Sequence, residues 1–286
     1  MLLSLGLAAA LAASALFNIG VVLQALEARR VPRSRSLRLS LIGSLLRRPR
    51  WLLGTALGLV GVAPQVVALW LAPFVVVQPA LGAGLLLLLA VGRRTLGEAV
   101  GPSEWAGVVA IIGGIALVAA GAPGHVEAHR RGLVVVLAAG LPALVALLPL
   151  AVRGTRLDTT ALVVVGSGIG FAAANIATKL FGDDAGAAHY VNAVSWAAVA
   201  LVAGLAATIT GMTAFQRARA TIVVPVTTAV QTYLPIVLEP LFLRERWGSA
   251  ALYGLPIVAG IVVGAIGTVL VARGRSVSAL AAAAQR

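Results

Sequence analysis

Leu85-Leu86-Leu87-Leu88-Leu89 forms the centre of an apolar run that extends from 74 to 92. A helix needs roughly 20 such residues to cross a hydrocarbon layer about 30 Å thick. The run does not alternate apolar and polar residues, as the strands of a membrane barrel do over about ten positions. Only helices and closed barrels satisfy their own backbone polar groups in lipid, so the leucine run is read as a membrane-spanning helix.

Outward from there the same pattern recurs along the chain. Hydrophobic residues are 60% of the 286, and they divide into nine runs of bilayer length. The spans are predicted at 2–26, 51–72, 74–92, 105–121, 132–152, 159–181, 190–212, 220–243 and 249–272. Little is left for a soluble domain, and the expected fold is an all-α polytopic membrane protein.

A net charge of +13 in a soluble chain would raise nucleic acid as a partner. Here the arginines fall in loops, where they report orientation instead. With nine spans, one side holds 27–50, 93–104, 153–158, 213–219 and the tail after 272, with 17 arginines among them. The other side holds four, Arg130, Arg131, Arg244 and Arg246. This bias predicts an N-terminus outside and a C-terminus in the cytoplasm, in an integral protein of the cell (inner) membrane. The first run has no basic residue before it and a cluster from Arg29 after it, as an uncleaved span does. The loop 27–50 carries eight arginines and an amphipathic stretch, Leu37–Leu46, so anionic lipid headgroups are its expected partner. There is no cysteine, which excludes disulfides and thiolate metal sites.

The chain also repeats itself. Ala68–Pro79 aligns with Ala214–Pro225, and further on Glu98, Gly101, Gly107 and Gly113 align with Glu245, Gly248, Gly254 and Gly260. Asn18-Ile19 aligns with Asn175-Ile176. Spans 1–4 (within 1–122) and 6–9 (159–272) are therefore equivalent units. Span 5 (within 123–158) connects them, and 273–286 is a tail. One odd crossing between two four-span units inverts the second, an architecture common among secondary transporters with a midplane site.

Several stretches carry a family resemblance: Gly20-Val21-Val22-Leu23-Gln24 on span 1, Ala72-Pro73 followed by Pro79, and Val224-Pro225 followed by Glu245 and Trp247. On these the chain resembles the drug/metabolite transporter superfamily, its EamA-like branch, and within it the NIPA-type magnesium transporters. The resemblance implies a duplicated four- or five-helix unit and transport of a small solute. Where the family's second span resembles Gly-Glu followed by Asn, this chain reads Gly61-Val62 and Gln65. Magnesium is held by oxygen ligands, usually including carboxylates. The resemblance thus supports the fold more than it supports magnesium.

Polar groups inside spans mark candidate sites. The amides Asn18, Gln24, Gln65, Gln78, Asn175 and Gln231, with Lys179 and Tyr233, are the expected cavity residues. The alternative for each is packing, helix bridging or, for Lys179, pairing with Asp183 or Asp184 at the interface. Glu239 is the candidate coupling carboxylate, with a surface pair to Arg244 or Arg246 as the alternative. Pro64, Pro79, Pro225 and Pro235 each free a carbonyl, and they predict broken or kinked helices in spans 2, 3 and 8. His125 and His129 flank Glu127 without a third convergent ligand, so no metal site is expected. Gly166-Ser167-Gly168-Ile169-Gly170 lies in an apolar run with no strand before it and is not a dinucleotide loop. No catalytic constellation or cofactor motif is present in the sequence. The expected function is secondary transport of a small solute by alternating access. The other readings are magnesium transport, lipid flipping, or a non-transporting assembly subunit.

Overall fold

The computed structural model describes residues 2–121, 132–242 and 251–284. Among these, nine helices are long and apolar enough to cross a membrane. The protein is an all-α polytopic membrane protein. Large apolar side chains such as Leu59, Trp70, Leu144 and Val191 are exposed on its outer surface. The interior is dominated by small residues, among them Ala10, Ala13, Ala25, Ala172, Ala173 and Ala207, all essentially inaccessible. Lipid tails are as apolar as leucine, so close backbone packing holds such helices together, and small residues permit it.

Local sequence sets the ends of the helices. Span 1 is Leu2–Arg29 and span 2 is Pro49–Leu71, with proline in the first turn, where its missing N–H costs nothing. Span 2 stops at Ala72, which is extended because Pro73 follows. Span 4 is Pro102–Gly121 and span 5 is Leu133–Ala151. Span 6, Thr160–Gly186, opens on Thr159, whose hydroxyl accepts the Leu162 N–H at 3.2 Å. Span 7 is Tyr190–Arg217, longer than the expected 190–212 by more than a turn. Span 8 is Ala220–Phe242, and span 9 runs from Leu255 after a 3₁₀ turn at Ala251–Gly254, later than the expected start at 249. The loop 27–50 contains a short helix, Leu39–Leu45, inside the stretch read as amphipathic.

The prolines act unequally. Span 3 is broken into Phe74–Gly82 and Gly84–Thr95 at Ala83, four residues after Pro79. Spans 2 and 8 run unbroken through Pro64, Pro225 and Pro235, so of the helices expected to be broken or kinked only span 3 is broken. At the span 3 break the Ser14 hydroxyl donates to the Leu81 carbonyl at 2.5 Å. That bond supplies a partner from span 1 where the helical ladder is interrupted.

The two halves pack in the same order. Span 1 lies against spans 2 and 3, and span 6 lies against spans 7 and 8. Spans 4 and 9 pack on each other across the halves. At their crossing a Cβ on Gly114 would lie 2.5 Å from the Gly260 carbonyl oxygen, and one on Gly260 equally close to that of Gly114. The sequence repeat equates Gly113 with Gly260, one residue away.

Candidate functional site

A cavity of about 400 Å³ lies between the halves, walled by spans 1, 3 and 4 on one side and spans 6, 7 and 8 on the other. Volumes of roughly 300–1,000 Å³ are usual for small-molecule sites. Of the amides expected there, Asn18, Gln24, Gln78 and Gln231 line it. Asn18 is buried, and its amide nitrogen donates to the Ser14 carbonyl at 2.8 Å. Gln24 donates to the Thr55 hydroxyl at 3.1 Å.

The other candidates lie elsewhere. Asn175 is exposed on the outer side of span 6, although its repeat equivalent Asn18 faces the cavity. Lys179 pairs with Asp183 at 3.4 Å, one turn along the same helix. Gln65 is half-buried on span 2, which contributes nothing to the cavity wall. Tyr233 is buried, and its hydroxyl donates to the Ile111 carbonyl at 3.0 Å, a bond between the halves rather than a cavity contact. Val62, where the resemblance would place a carboxylate, is exposed on the outer face. The side chain of Glu239 lies outside the described residues, as do Arg244, Arg246, His125, Glu127 and His129. Among the described residues no group of three or more His, Asp or Glu side chains could hold a metal ion.

The sequence reading missed part of the wall. Ser167, Thr227, Thr228 and Thr232 add hydroxyls, and Phe17, Phe171 and Phe215 add apolar faces. The signal for span 8 is legible: Thr227, Thr228, Gln231 and Thr232 fall within one helical stripe at spacings of three to five.

Beside the cavity lies a second structure, built from loops that the sequence assigns to one side of the membrane. Glu98, in 93–104, accepts the N–H groups of Ala220 and Thr221 at 2.7 and 2.8 Å and the Thr221 hydroxyl at 2.6 Å. This caps the N-terminus of span 8, where backbone donors and the helix dipole favour a carboxylate. Arg29, at the end of span 1, bonds the same carboxylate and donates to the Phe215 carbonyl at 3.2 Å. Gln216 donates to the carbonyls of Ala28 and Val31, both at 3.1 Å, and accepts from the Ser36 hydroxyl at 2.7 Å. The Leu37 N–H, held at a φ of 54°, donates to the Thr213 hydroxyl oxygen at 3.0 Å.

Two more ion pairs extend this latch. Arg219 reaches the fully buried Glu104 at 3.1 Å, and Arg217 grips Asp158 at 2.5 and 3.3 Å. The Arg217 hydrogen bond holds the Asp158 carboxyl below the usual carboxylate range, against the opposing effect of burial. Thus 27–50, 93–104, 153–158 and the turn after span 7 meet at one end, as nine crossings require. Their arginines are largely engaged with protein. In 27–50, Arg29, Arg30 and Arg48 form ion pairs, while Arg33 bonds the Gln216 carbonyl and Arg35 the Ser44 hydroxyl.

Comparisons with known proteins give no match: no family model, curated protein or solved structure is similar enough to the chain to name a relative.

Proposed function

We propose that this protein is a secondary transporter that carries a small solute by alternating access. The observation that carries the reading is the polar cavity between two equivalently packed halves, bordered at one end by a latch that ties those halves together. Two near-equivalent units can rock against each other about a fixed site, and each extreme opens the cavity to one side. The latch consists of hydrogen bonds and ion pairs that can break and re-form, whereas the glycine crossing of spans 4 and 9 is a rigid pivot. The latched conformation is the one closed toward the arginine-rich face, which the 17-to-4 distribution assigns to the cytoplasm. The N-terminus then lies outside and the C-terminus inside, in the cell membrane.

The chain lacks cysteine, so single-cysteine labelling needs no prior substitution. Thr228→Cys should react with an impermeant thiol reagent from the outer face of oriented vesicles. An unlatched variant should shift that reaction to the inner face. Reaction from neither face in any variant, together with no solute movement in proteoliposomes, would remove the transport reading.

A further inference from the structure

Among the described residues, none of the side chains lining the cavity is ionisable. Its polar groups are carboxamides and hydroxyls, set among the rings of three phenylalanines. An ion of either sign entering a low-dielectric site needs an opposite charge to replace its lost hydration. The nearby charges do not serve, because Arg29, Glu98, Arg219 and Glu104 bond one another and the backbone within the latch.

The polar groups themselves divide into two sets. Ser167 donates to the Ala207 carbonyl at 3.0 Å, and Asn18 and Gln24 bond protein as described. Thr227 is different: its hydroxyl oxygen is buried with no hydrogen-bond partner. Gln78, Gln231, Thr228 and Thr232 likewise bond no protein group among the described residues. Elsewhere in the spans Thr55, Thr178, Thr208, Thr210 and Thr268 each donate to the carbonyl four residues back. That is the ordinary resting place of a threonine hydroxyl in a membrane helix. The span 8 threonines that face the cavity forgo it. A buried polar group without a partner is costly, and Thr227, beside four half-buried polar side chains that also bond no protein group among the described residues, defines a place for a ligand's hydrogen bonds.

We propose that the cavity binds an uncharged, planar heterocycle with a donor–acceptor edge, of the nucleobase or aromatic carboxamide kind. Carboxamides such as Gln78 and Gln231 present a donor and an acceptor side by side, which pair with such an edge in a bidentate manner. Phenylalanine rings receive the flat face of the same molecule by stacking. Polar solutes with full charges, and hard cations, lack both the counter-charge and the carboxylate oxygens they require. This inference deepens the transport reading by naming what its site recognises.

The test is equilibrium binding to the purified full chain in detergent, followed by flux in proteoliposomes. The probes are adenine, uracil and nicotinamide, set against glutamate, lysine and Mg²⁺. At least one neutral heterocycle should raise the melting temperature and bind saturably, while the charged probes should not. Gln231→Leu should weaken that binding at least tenfold without lowering the melting temperature of the ligand-free protein, since Gln231 bonds no protein group. Gln65→Leu, outside the cavity, should leave binding unchanged. Preference for a charged probe or Mg²⁺, or no binding by any of the three heterocycles, would overturn the inference. Heterocycle binding without flux would overturn the transport reading alone, and flux of a charged solute would overturn the inference alone.

Discussion

The Glu98 carboxylate accepts both the backbone N–H and the hydroxyl of Thr221, at 2.8 and 2.6 Å, and so closes the first turn of span 8 from the opposite half. Span 8 supplies Thr227, Thr228, Gln231 and Thr232 to the cavity. The latch and the cavity wall therefore share one helix, the latch at its first turn and the wall on the turns that follow. Movement of span 8 away from Glu98 would strip its N-terminal donors of their acceptor and displace the wall in the same motion. Coupling of this kind rests on a shared rigid element with two placements.

Glu98→Gln should loosen the latch. The amide keeps the shape but loses the charge that accepts from Arg29, Ala220 and Thr221. Hydrogen bonds to charged groups are worth about 1.5–3 kcal/mol each. Losing even one such contribution should favour the unlatched state about tenfold or more, since about 1.4 kcal/mol is a factor of ten. The measurement is the side from which Thr228→Cys is labelled in the Glu98→Gln background. An unchanged labelling pattern would show that Glu98 does not hold the closed state.

Gly84→Ala should destabilise the protein. A Cβ at this position would collide with Asn18 Nδ2 and Ser14 Oγ, just after the break in span 3. Neither partner can retreat freely, because Ser14 bonds the Leu81 carbonyl and Asn18 bonds the Ser14 carbonyl. Overpacking of this sort costs about 1–3 kcal/mol. Gly113→Ala is the control, because nothing lies within 4 Å of its added Cβ. A thermal scan of both variants checks the difference, and equal melting temperatures would contradict the packing described.

How much of this is legible in the sequence differs by level. The spans follow from composition, because twenty apolar residues have one stable fate in lipid. Arginine placement groups these loops on one side of the membrane, and within the structure Arg153 reaches the Leu37 carbonyl and Arg217 the Asp158 carboxylate. Glu98 was legible only as a repeat marker, since its role depends on Ala220 and Thr221, over 120 positions away. Asn175 misled for a related reason. Asn18 and Asn175 hold matched positions on spans 1 and 6, but on span 6 it is Ser167 and Phe171, two turns and one turn earlier, that face the cavity. Pro64, Pro225 and Pro235 predict a break or a kink, and the helices run unbroken through them, as neighbouring helices and threonines can re-satisfy a freed carbonyl.

Anionic lipid should act through fewer arginines than the loop 27–50 contains. Ion pairs and hydrogen bonds within the protein engage five of the eight. Arg38 and Arg47 are exposed and form no ion pair among the described residues, beside the exposed Leu39 and Leu46. Each charge near an anionic surface contributes about 1 kcal/mol. Arg38→Gln with Arg47→Gln should therefore lower retention of anionic lipid in native mass spectra by an order of magnitude or more. Arg33→Gln, whose guanidinium bonds the Gln216 carbonyl at 3.4 Å, should affect lipid less. Equal loss in both would mean the loop binds lipid as a diffuse charge cloud.

Acid should open the latch at Asp158, and the sign follows from its environment. Arg217 lowers the Asp158 carboxyl from its ordinary value. A carboxylate depressed in the folded state stabilises that state above its unfolded pKa, roughly pH 4, and loses the contribution as pH falls through the folded value. The pair is only 19% and 13% exposed, so solvent screens it less than a surface bridge. The wild-type melting temperature should hold steady through neutral pH and drop below about pH 4. Asp158→Asn should start a few degrees lower at pH 7, having lost charge-assisted bonds worth about 1–3 kcal/mol. Its own decline below pH 4 should be shallower, because the titrating partner is gone. Parallel curves for the two proteins, offset but equally steep, would assign the acid transition to another group.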